Sequence, residues 1–326
     1  MTDKPDLLVT SPMMPLIIDG LAPAFTLHRL DLVADPDAMI DRVAPTCRFA
    51  VTGAHAHIDE AFMARLPKLE IVANMGVGYD TVDAAAAARR GIVVTNTPDV
   101  LTEDVADLAL GLLLATVREL PQSDRFLREG RWLAGQYPLT RATLRGRRMG
   151  IVGLGRIGKA IARRAEAFGV PIAYFGRRRQ EDVSYTFFDD LEAMARAVDI
   201  LMVVIPGGPS TKNLIDARIL AALGADGILI NVARGSVVDA PALIAALRDR
   251  TIYSAGLDVF ADEPNVPQAL IDMEHVVLLP HVGSATVHTR AGMGQLVVDN
   301  ILSWKAGKGP LTPVVETPWP RKPGHA

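Results

Sequence analysis

The sequence predicts an α/β protein built from two doubly wound parallel sheets, and three observations carry that reading. Short apolar runs alternate with segments of helical spacing along almost the whole chain, which is the rhythm of strands joined by helical crossovers in sheets covered on both faces. A length of 326 residues exceeds one ordinary core, so two domains are expected. Near the middle, Met149-Gly-Ile-Val-Gly-Leu-Gly-Arg-Ile-Gly158 sets Gly153, Gly155 and Gly158 at G-x-G-x-x-G spacing directly after an apolar run.

Composition narrows the functional classes. With 49% hydrophobic and 22% charged residues the chain is globular, and a formal charge of −3 gives no overall pull toward nucleic acid or anionic membrane. Cys47 is the single cysteine, which excludes an internal disulfide and any cysteine-built metal site and suits a reducing compartment. The opening residues lack the charged-then-apolar layout of a signal peptide, and the longest apolar run, 108–117, is far short of a membrane span. A cytoplasmic location is expected.

Taken in order, Leu7-Leu-Val9, residues 25–30, Phe49-Ala-Val51, Leu69-Glu-Ile-Val72 and Gly91-Ile-Val-Val94 read as strands with helices between them, forming a small first domain. Asn74-Met-Gly-Val-Gly-Tyr79 follows a strand, where open α/β sheets present ligand loops. The alanine run 84–88 belongs to a helix. Pro98 breaks the chain, and Thr102 then caps a helix whose first turn holds Glu103 and Asp104, as the dipole favours, and which stops before Pro121. Residues 122–144 hold a shorter helix and a turn-rich segment without sheet character, suited to an arm that contacts a partner.

The second domain opens with the glycine turn. Residues 150–153 read as a buried strand. Ile157, Ile161, Ala165 and Phe168 keep helical spacing up to Gly169, and Pro171-Ile-Ala-Tyr-Phe175 completes a βαβ unit. In such a unit the first glycine permits the tight turn, the second lets backbone approach a diphosphate, and the third lets helix pack on sheet. The amides of Arg156 and Ile157 then open the helix at its anion-holding end. Strands at 199–205, 227–231, 253–257 and 276–278, with helices at 216–223 and 239–248, extend the sheet. A final helix, about 286–304, is long enough to return to the first domain. The expected division is a discontinuous substrate-binding domain, residues 1–99 plus 288–326, and a dinucleotide-binding domain, residues 100–287. Residues from Pro310 onward read as an extended tail.

An NAD site normally carries an acid about 20 residues beyond the glycines, at the end of the second strand. Here that position is Phe175-Gly-Arg-Arg-Arg179, which has no carboxylate. An arginine fork matches a 2′-phosphate, so NADPH is expected to be preferred over NADH, with Arg177 as the main contact and Arg178 in support. The competing explanation is a solvated basic turn.

Three polar residues follow strands of the second domain: Arg234 after Ile230-Asn-Val-Ala, Glu263 after Leu257-Asp-Val-Phe-Ala-Asp, and His281 after Leu278-Leu-Pro. All three fall at the carboxyl edge of one sheet. Reduction of a 2-oxo acid needs a cation to orient the carboxylate and polarise the ketone, which Arg234 supplies. It also needs a proton donor for the forming alkoxide, which His281 supplies. Glu263, bonded to the other imidazole nitrogen, would fix the tautomer and favour the imidazolium. Singly, each has a plainer reading: Arg234 as a cofactor contact only, Glu263 as part of an acidic surface turn, His281 as a satisfied interior histidine. His55 and His57 have no evident third ligand, so no metal is expected.

Gly-Leu-Gly-Arg-Ile-Gly158, Asn231-Val-Ala-Arg-Gly-Ser-Val-Val-Asp239, Gly256-Leu-Asp-Val-Phe-Ala-Asp-Glu-Pro264 and Pro280-His-Val-Gly-Ser284 resemble the successive signatures of the D-isomer-specific 2-hydroxyacid dehydrogenases, across residues 7–304. The resemblance implies two Rossmann-like or flavodoxin-like domains with the active site in the cleft between them, and Arg234, Glu263 and His281 as the catalytic set. It implies substrate carboxylate binding by the backbone of Val77 and Gly78, with Arg234 and His281 also on the substrate. Thr102, Asp258, Gly283 and Ser284 match positions beside the nicotinamide, and Ile205, Pro206, Thr211, Val232 and Ala233 are further expected cofactor contacts. Pro206-Gly-Gly-Pro209 departs from the Pro-Leu-Thr of many members. The loop from Asn74 and the Gly-Arg-Arg turn resemble the glyoxylate/hydroxypyruvate reductase branch. Family members are usually homodimers through the cofactor domain, with residues 122–144 as the arm and Tyr137 and Leu139 approaching the partner. Two other functions fit the same motifs: reduction of a larger 2-oxo acid such as 2-ketogluconate or a phenylpyruvate, and NAD(H) sensing by a corepressor-like binding protein.

Overall fold

The computed structural model describes residues 4–53 and 56–320. His55 and His325 therefore lie outside the described residues. The chain divides into two units, one holding residues up to Leu101 and again from Thr286 onward, the other Thr102–Ala285.

The first unit is a five-stranded sheet of β1 (Asp6–Val9), β2 (Thr26–Arg29), β3 (Phe49–Thr52), β4 (Ile71–Asn74) and β5 (Val93–Thr95), in the order β2-β1-β3-β4-β5 with every pair parallel. Strand side chains alternate between faces, so each run feeds two cores. Leu8, Ala50, Val72 and Val94 pack on one face with Ile40 and Met63. Leu7, Val9, Phe49, Val51, Ile71 and Val93 pack on the other with Ile17 of the helix Pro15–Leu21. That second face is closed by the helix Val287–Lys305, which contributes Val297, Val298 and Ile301, each no more than 3% exposed. Burying each of these aliphatic side chains stabilises the unit by about 1.5–3 kcal/mol. This is why the chain returns to the first unit.

Residues 312–317 do not hang free as the proline content suggests. Val314 donates its N–H to the Val94 carbonyl at 2.9 Å, Val94 in turn donates to Thr317 Oγ1 at 3.0 Å, and Val314 is 4% exposed. The segment docks along β5.

The second unit is a seven-stranded parallel sheet of β6 (Met149–Val152), β7 (Ile172–Phe175), β8 (Thr186–Phe188), β9 (Ile200–Val203), β10 (Ile228–Asn231), β11 (Ser254–Leu257) and β12 (Val277–Leu278), ordered β12-β11-β10-β9-β6-β7-β8. Strand order reverses between β6 and β9, the switch point at which such sheets bind ligands. The structure adds to the sequence reading edge strand β8, the short helix Gln268–Ile271, and the helix Leu191–Ala197, whose Asp190 cap accepts from Ala193 N–H at 2.6 Å. The last of these has a legible pattern, Asp190 followed by Leu191, Met194 and Ala195 as in a capped helix. Pro121 also plays a different part. The helix Thr102–Val117 ends before Glu119, which turns the chain at φ 50°, and Pro121 sits in the first turn of the next helix, Leu120–Arg128. Among the described residues no helix is long and apolar enough to cross a membrane.

Candidate active site

The glycine turn joins β6 to the helix Arg156–Ala167, and its three glycines differ in what surrounds them. Gly153 has φ +100°, and a side chain there would overlap Ile205 Cγ2 just beyond β9 and come within 2.9 Å of the Val204 carbonyl oxygen. A side chain at Gly158 would overlap the Gly153 carbonyl oxygen. Gly155 faces open space. It precedes the helix with no side-chain cap, so the first amides of that helix lack an intrahelical acceptor. An open glycine flanked by two tightly packed ones, at a helix N-terminus, fits a dinucleotide diphosphate.

Beyond β7, Arg177, Arg178 and Arg179 are exposed and form no ion pair among the described residues. Their turn is fastened to the glycine loop by Gln180, whose Nε2 donates to the Leu154 carbonyl at 2.8 Å while its N–H donates to Tyr174 Oη at 2.7 Å. Sequence reasoning missed Gln180. Only the folded proximity of two loops 26 residues apart gives it a role.

The chemistry-bearing side chains follow β10, β11 and β12, which lie side by side. Arg234 is half-buried three residues beyond β10. Asn231, 1% exposed, shapes that turn by accepting from Ala233 N–H at 3.0 Å and donating to the Arg234 carbonyl at 3.0 Å. Gly235 must be glycine, because a Cβ would overlap the backbone of Phe260 and Ala261. This close approach brings the loop holding Glu263 against the loop holding Arg234.

Glu263 uses both carboxylate oxygens. Oε1 accepts from Phe260 N–H at 2.9 Å, and Oε2 lies 2.7 Å from His281 Nδ1. Burial pushes its pKa upward, but the bond to His281, the Phe260 amide and the charges of His281 and Arg234 together hold it below the usual value of 4.5. It is therefore a carboxylate at neutral pH.

His281 sits in the left-handed region, at φ 53°. Asp258, 2% exposed and directly after β11, holds it there: the Asp258 carbonyl accepts from His281 N–H at 2.8 Å, Oδ1 from Val282 N–H at 2.7 Å and Oδ2 from Gly283 N–H at 2.9 Å. Three successive amides thus end on one residue. Burial raises the Asp258 pKa above its ordinary value and the nearby Glu263 charge adds to this, while the two amide bonds pull the other way.

Arg234, Glu263, His281, Asp258, Gly283, Val232 and Ala233 therefore gather at the edge formed by β10–β12. Gly153, Gly155, Arg156, Ile157, Gly158, Arg177, Arg178, Ile205 and Pro206 gather at the edge formed by β6, β7 and β9. Thr211 is tied to that second group, its Oγ1 donating to the Pro206 carbonyl at 2.8 Å. Ser284 follows Gly283, and Thr102 begins the helix Thr102–Val117.

Val77 and Gly78 belong to the first unit, in the loop after β4. Asn74 Nδ2 donates to the Gly78 carbonyl at 3.0 Å and Asn96 Nδ2 to the Val77 carbonyl at 2.9 Å, while neither amide has a partner among the described residues. Asn74 Nδ2 also donates to the Gly76 carbonyl at 3.2 Å, so two asparagines that the sequence reading left unassigned fix, through the Gly76 and Val77 carbonyls, the peptides whose N–H groups are those of Val77 and Gly78, and leave these two N–H groups for an anion.

A parallel sheet with a glycine-rich switch point and a carboxylate-held imidazole on its far edge defines a nicotinamide-dependent oxidoreductase. Residues 110–283 match the family described as D-isomer specific 2-hydroxyacid dehydrogenase, NAD binding domain, and the chain belongs to this family. It is 45% identical over 308 residues to glyoxylate/hydroxypyruvate reductase A of Arabidopsis thaliana, covering 94% of this chain and 98% of that one. It is 41% identical to the 2-ketogluconate reductase of Gluconobacter oxydans, covering 97% and 100%. Among solved structures, the NADPH-dependent glyoxylate/hydroxypyruvate reductase of Sinorhizobium meliloti, in complex with NADP and malonate, superposes with a TM-score of 0.91 at 49% identity, covering 98% of this chain and 99% of that one.

Proposed function

We propose that the protein reduces glyoxylate and hydroxypyruvate to glycolate and D-glycerate with NADPH. One observation carries the chemistry: His281, held at Nδ1 by Glu263, lies on the same carboxyl edge as Arg234, in the sheet that begins with the glycine turn. When bound, the reduced nicotinamide supplies hydride to C2 of the 2-oxo acid. Arg234 orients the substrate carboxylate and polarises the ketone, and the amides of Val77 and Gly78 take the carboxylate oxygens. Glu263 occupies Nδ1, so Nε2 is the nitrogen that delivers the proton to the developing alkoxide. Arg177, with Arg178, binds the 2′-phosphate. From β6 to β12 the sheet runs four strand spacings, about 19 Å, which is room for both halves of the dinucleotide. The names of the relatives support this substrate class and this cofactor.

A homodimer in the cytoplasm is part of the same proposal. The arm supports it: Leu133 is 96% and Leu139 99% exposed, with Leu127 and Trp132 more than half exposed, an apolar strip suited to a second copy.

The test is a set of initial rates with glyoxylate, hydroxypyruvate, pyruvate and 2-ketogluconate, each with NADPH and with NADH. The highest kcat/KM is expected with glyoxylate or hydroxypyruvate and NADPH. Preference for 2-ketogluconate gives the larger-acid reading, and turnover below about one per second with all four acids gives the sensor reading.

A further inference from the structure

The first sheet has its own switch point. In the order β2-β1-β3-β4-β5 the direction of winding reverses between β1 and β3, so a crevice opens at their carboxyl ends. Ser11 stands two residues beyond β1 and Gly53 immediately beyond β3. Ser11 is 4% exposed, yet its Oγ has no hydrogen-bond partner among the described residues. Buried hydroxyls are ordinarily satisfied, and one left alone at a sheet's ligand edge marks a place where a polar group belongs. Gly53 lies close against both Ser11 and Met13: a Cβ there would stand 3.4 Å from Ser11 Oγ and crowd Met13 Cε at 3.3 Å. The crevice thus has one hydroxyl able both to donate and to accept, and an apolar wall.

We propose that this crevice receives the hydroxylated chain of the 2-oxo acid, with Ser11 Oγ as the hydrogen-bond partner of a hydroxyl beyond C2. The inference rests on the reductase reading above, in which the carboxylate is held by the loop after β4. The ends of β1 and β4 are two strand spacings apart, about 10 Å, which suits an acid carrying hydroxyls at C3 or farther along its chain. Ser11 is then a specificity residue. It gives nothing to glyoxylate, which has no C3, or to pyruvate, whose C3 is a methyl group.

Ser11→Ala, assayed with NADPH against hydroxypyruvate, 2-ketogluconate, pyruvate and glyoxylate, tests this. The expected result is a fall on the order of tenfold in kcat/KM for the hydroxylated acids, the net effect of one neutral hydrogen bond, with glyoxylate and pyruvate unchanged. The two unchanged substrates also report that the variant is folded. Gly53→Ala is expected to narrow the crevice and depress the same two acids. Competitive inhibition by D-glycerate, compared with D-lactate, gives a second readout: Ser11→Ala should weaken D-glycerate alone. A ratio of hydroxypyruvate to pyruvate that Ser11→Ala leaves unchanged, or an equal fall for all four acids, overturns the subsite while the reductase reading stands. Failure of the unaltered protein to reduce any of the four overturns both.

Discussion

Glu263 grips the imidazole of His281 from behind, Oε2 lying 2.7 Å from Nδ1, and braces itself on the Phe260 amide through Oε1 at 2.9 Å. One side chain therefore sets both the orientation of the ring and the nitrogen that faces outward. Glu263→Gln cannot reproduce this, because an amide offers one accepting oxygen where the carboxylate offers two. The variant is expected to lose about a hundredfold in kcat while the affinity for NADPH stays nearly constant. Steady-state rates with nucleotide titration check it, and wild-type kcat in the glutamine variant refutes the role.

The same pair sets a pH dependence of stability. The Glu263 pKa lies below 4.5 in the folded chain despite burial. A depressed carboxyl pKa contributes stability that is present in full above the unfolded value and is lost as pH falls through the folded one. The Tm difference between wild type and Glu263→Gln should accordingly hold steady at neutral pH and shrink as the pH falls below about 4.5. A difference that grows on acidification contradicts this sign.

His281→Ala removes the proton donor and leaves the glycine turn untouched. Its kcat should drop by at least about a hundredfold, the lower range for general acid catalysis, with NADPH binding by fluorescence titration almost unaltered.

The three arginines after β7 are exposed and make no ion pair among the described residues, so Arg177→Ala should leave the fold intact. Its KM for NADPH should rise by tenfold or more, the scale of a lost charge-assisted contact, with the KM for NADH scarcely moved. Equal changes for both nucleotides would assign Arg177 to a solvated turn.

Two glycines separate stability from binding. Gly235→Ala forces a Cβ into the Phe260–Ala261 backbone, which has no side-chain freedom with which to yield, so destabilisation by about 3 kcal/mol or outright misfolding is expected. Gly155→Ala meets nothing within 4 Å among the described residues and should keep the wild-type Tm while weakening nucleotide binding, since the methyl group occupies the space left for the diphosphate. Thermal denaturation and nucleotide titration on the same two variants separate the effects.

The sequence alone determined the features that depend on near neighbours in the chain. Alternating apolar runs specify parallel strands because both faces of a buried strand are apolar. G-x-G-x-x-G names its turn because glycine permits that backbone, and Arg177 announces itself by standing where a carboxylate is expected. Arg234, Glu263 and His281 were legible for a related reason: each follows a strand, and parallel strands deliver all their carboxyl ends to one edge. Tertiary structure decided the rest. That Asp258 collects the amides of residues 281–283, that Gly235 lies against Phe260, that Gln180 ties the arginine turn to Leu154, and that residues 312–317 dock along β5 all depend on which distant backbone comes to lie alongside. Local pattern fixes what a segment becomes, whereas hydrogen bonds and close approaches between segments form only after the sheet has set their order and spacing.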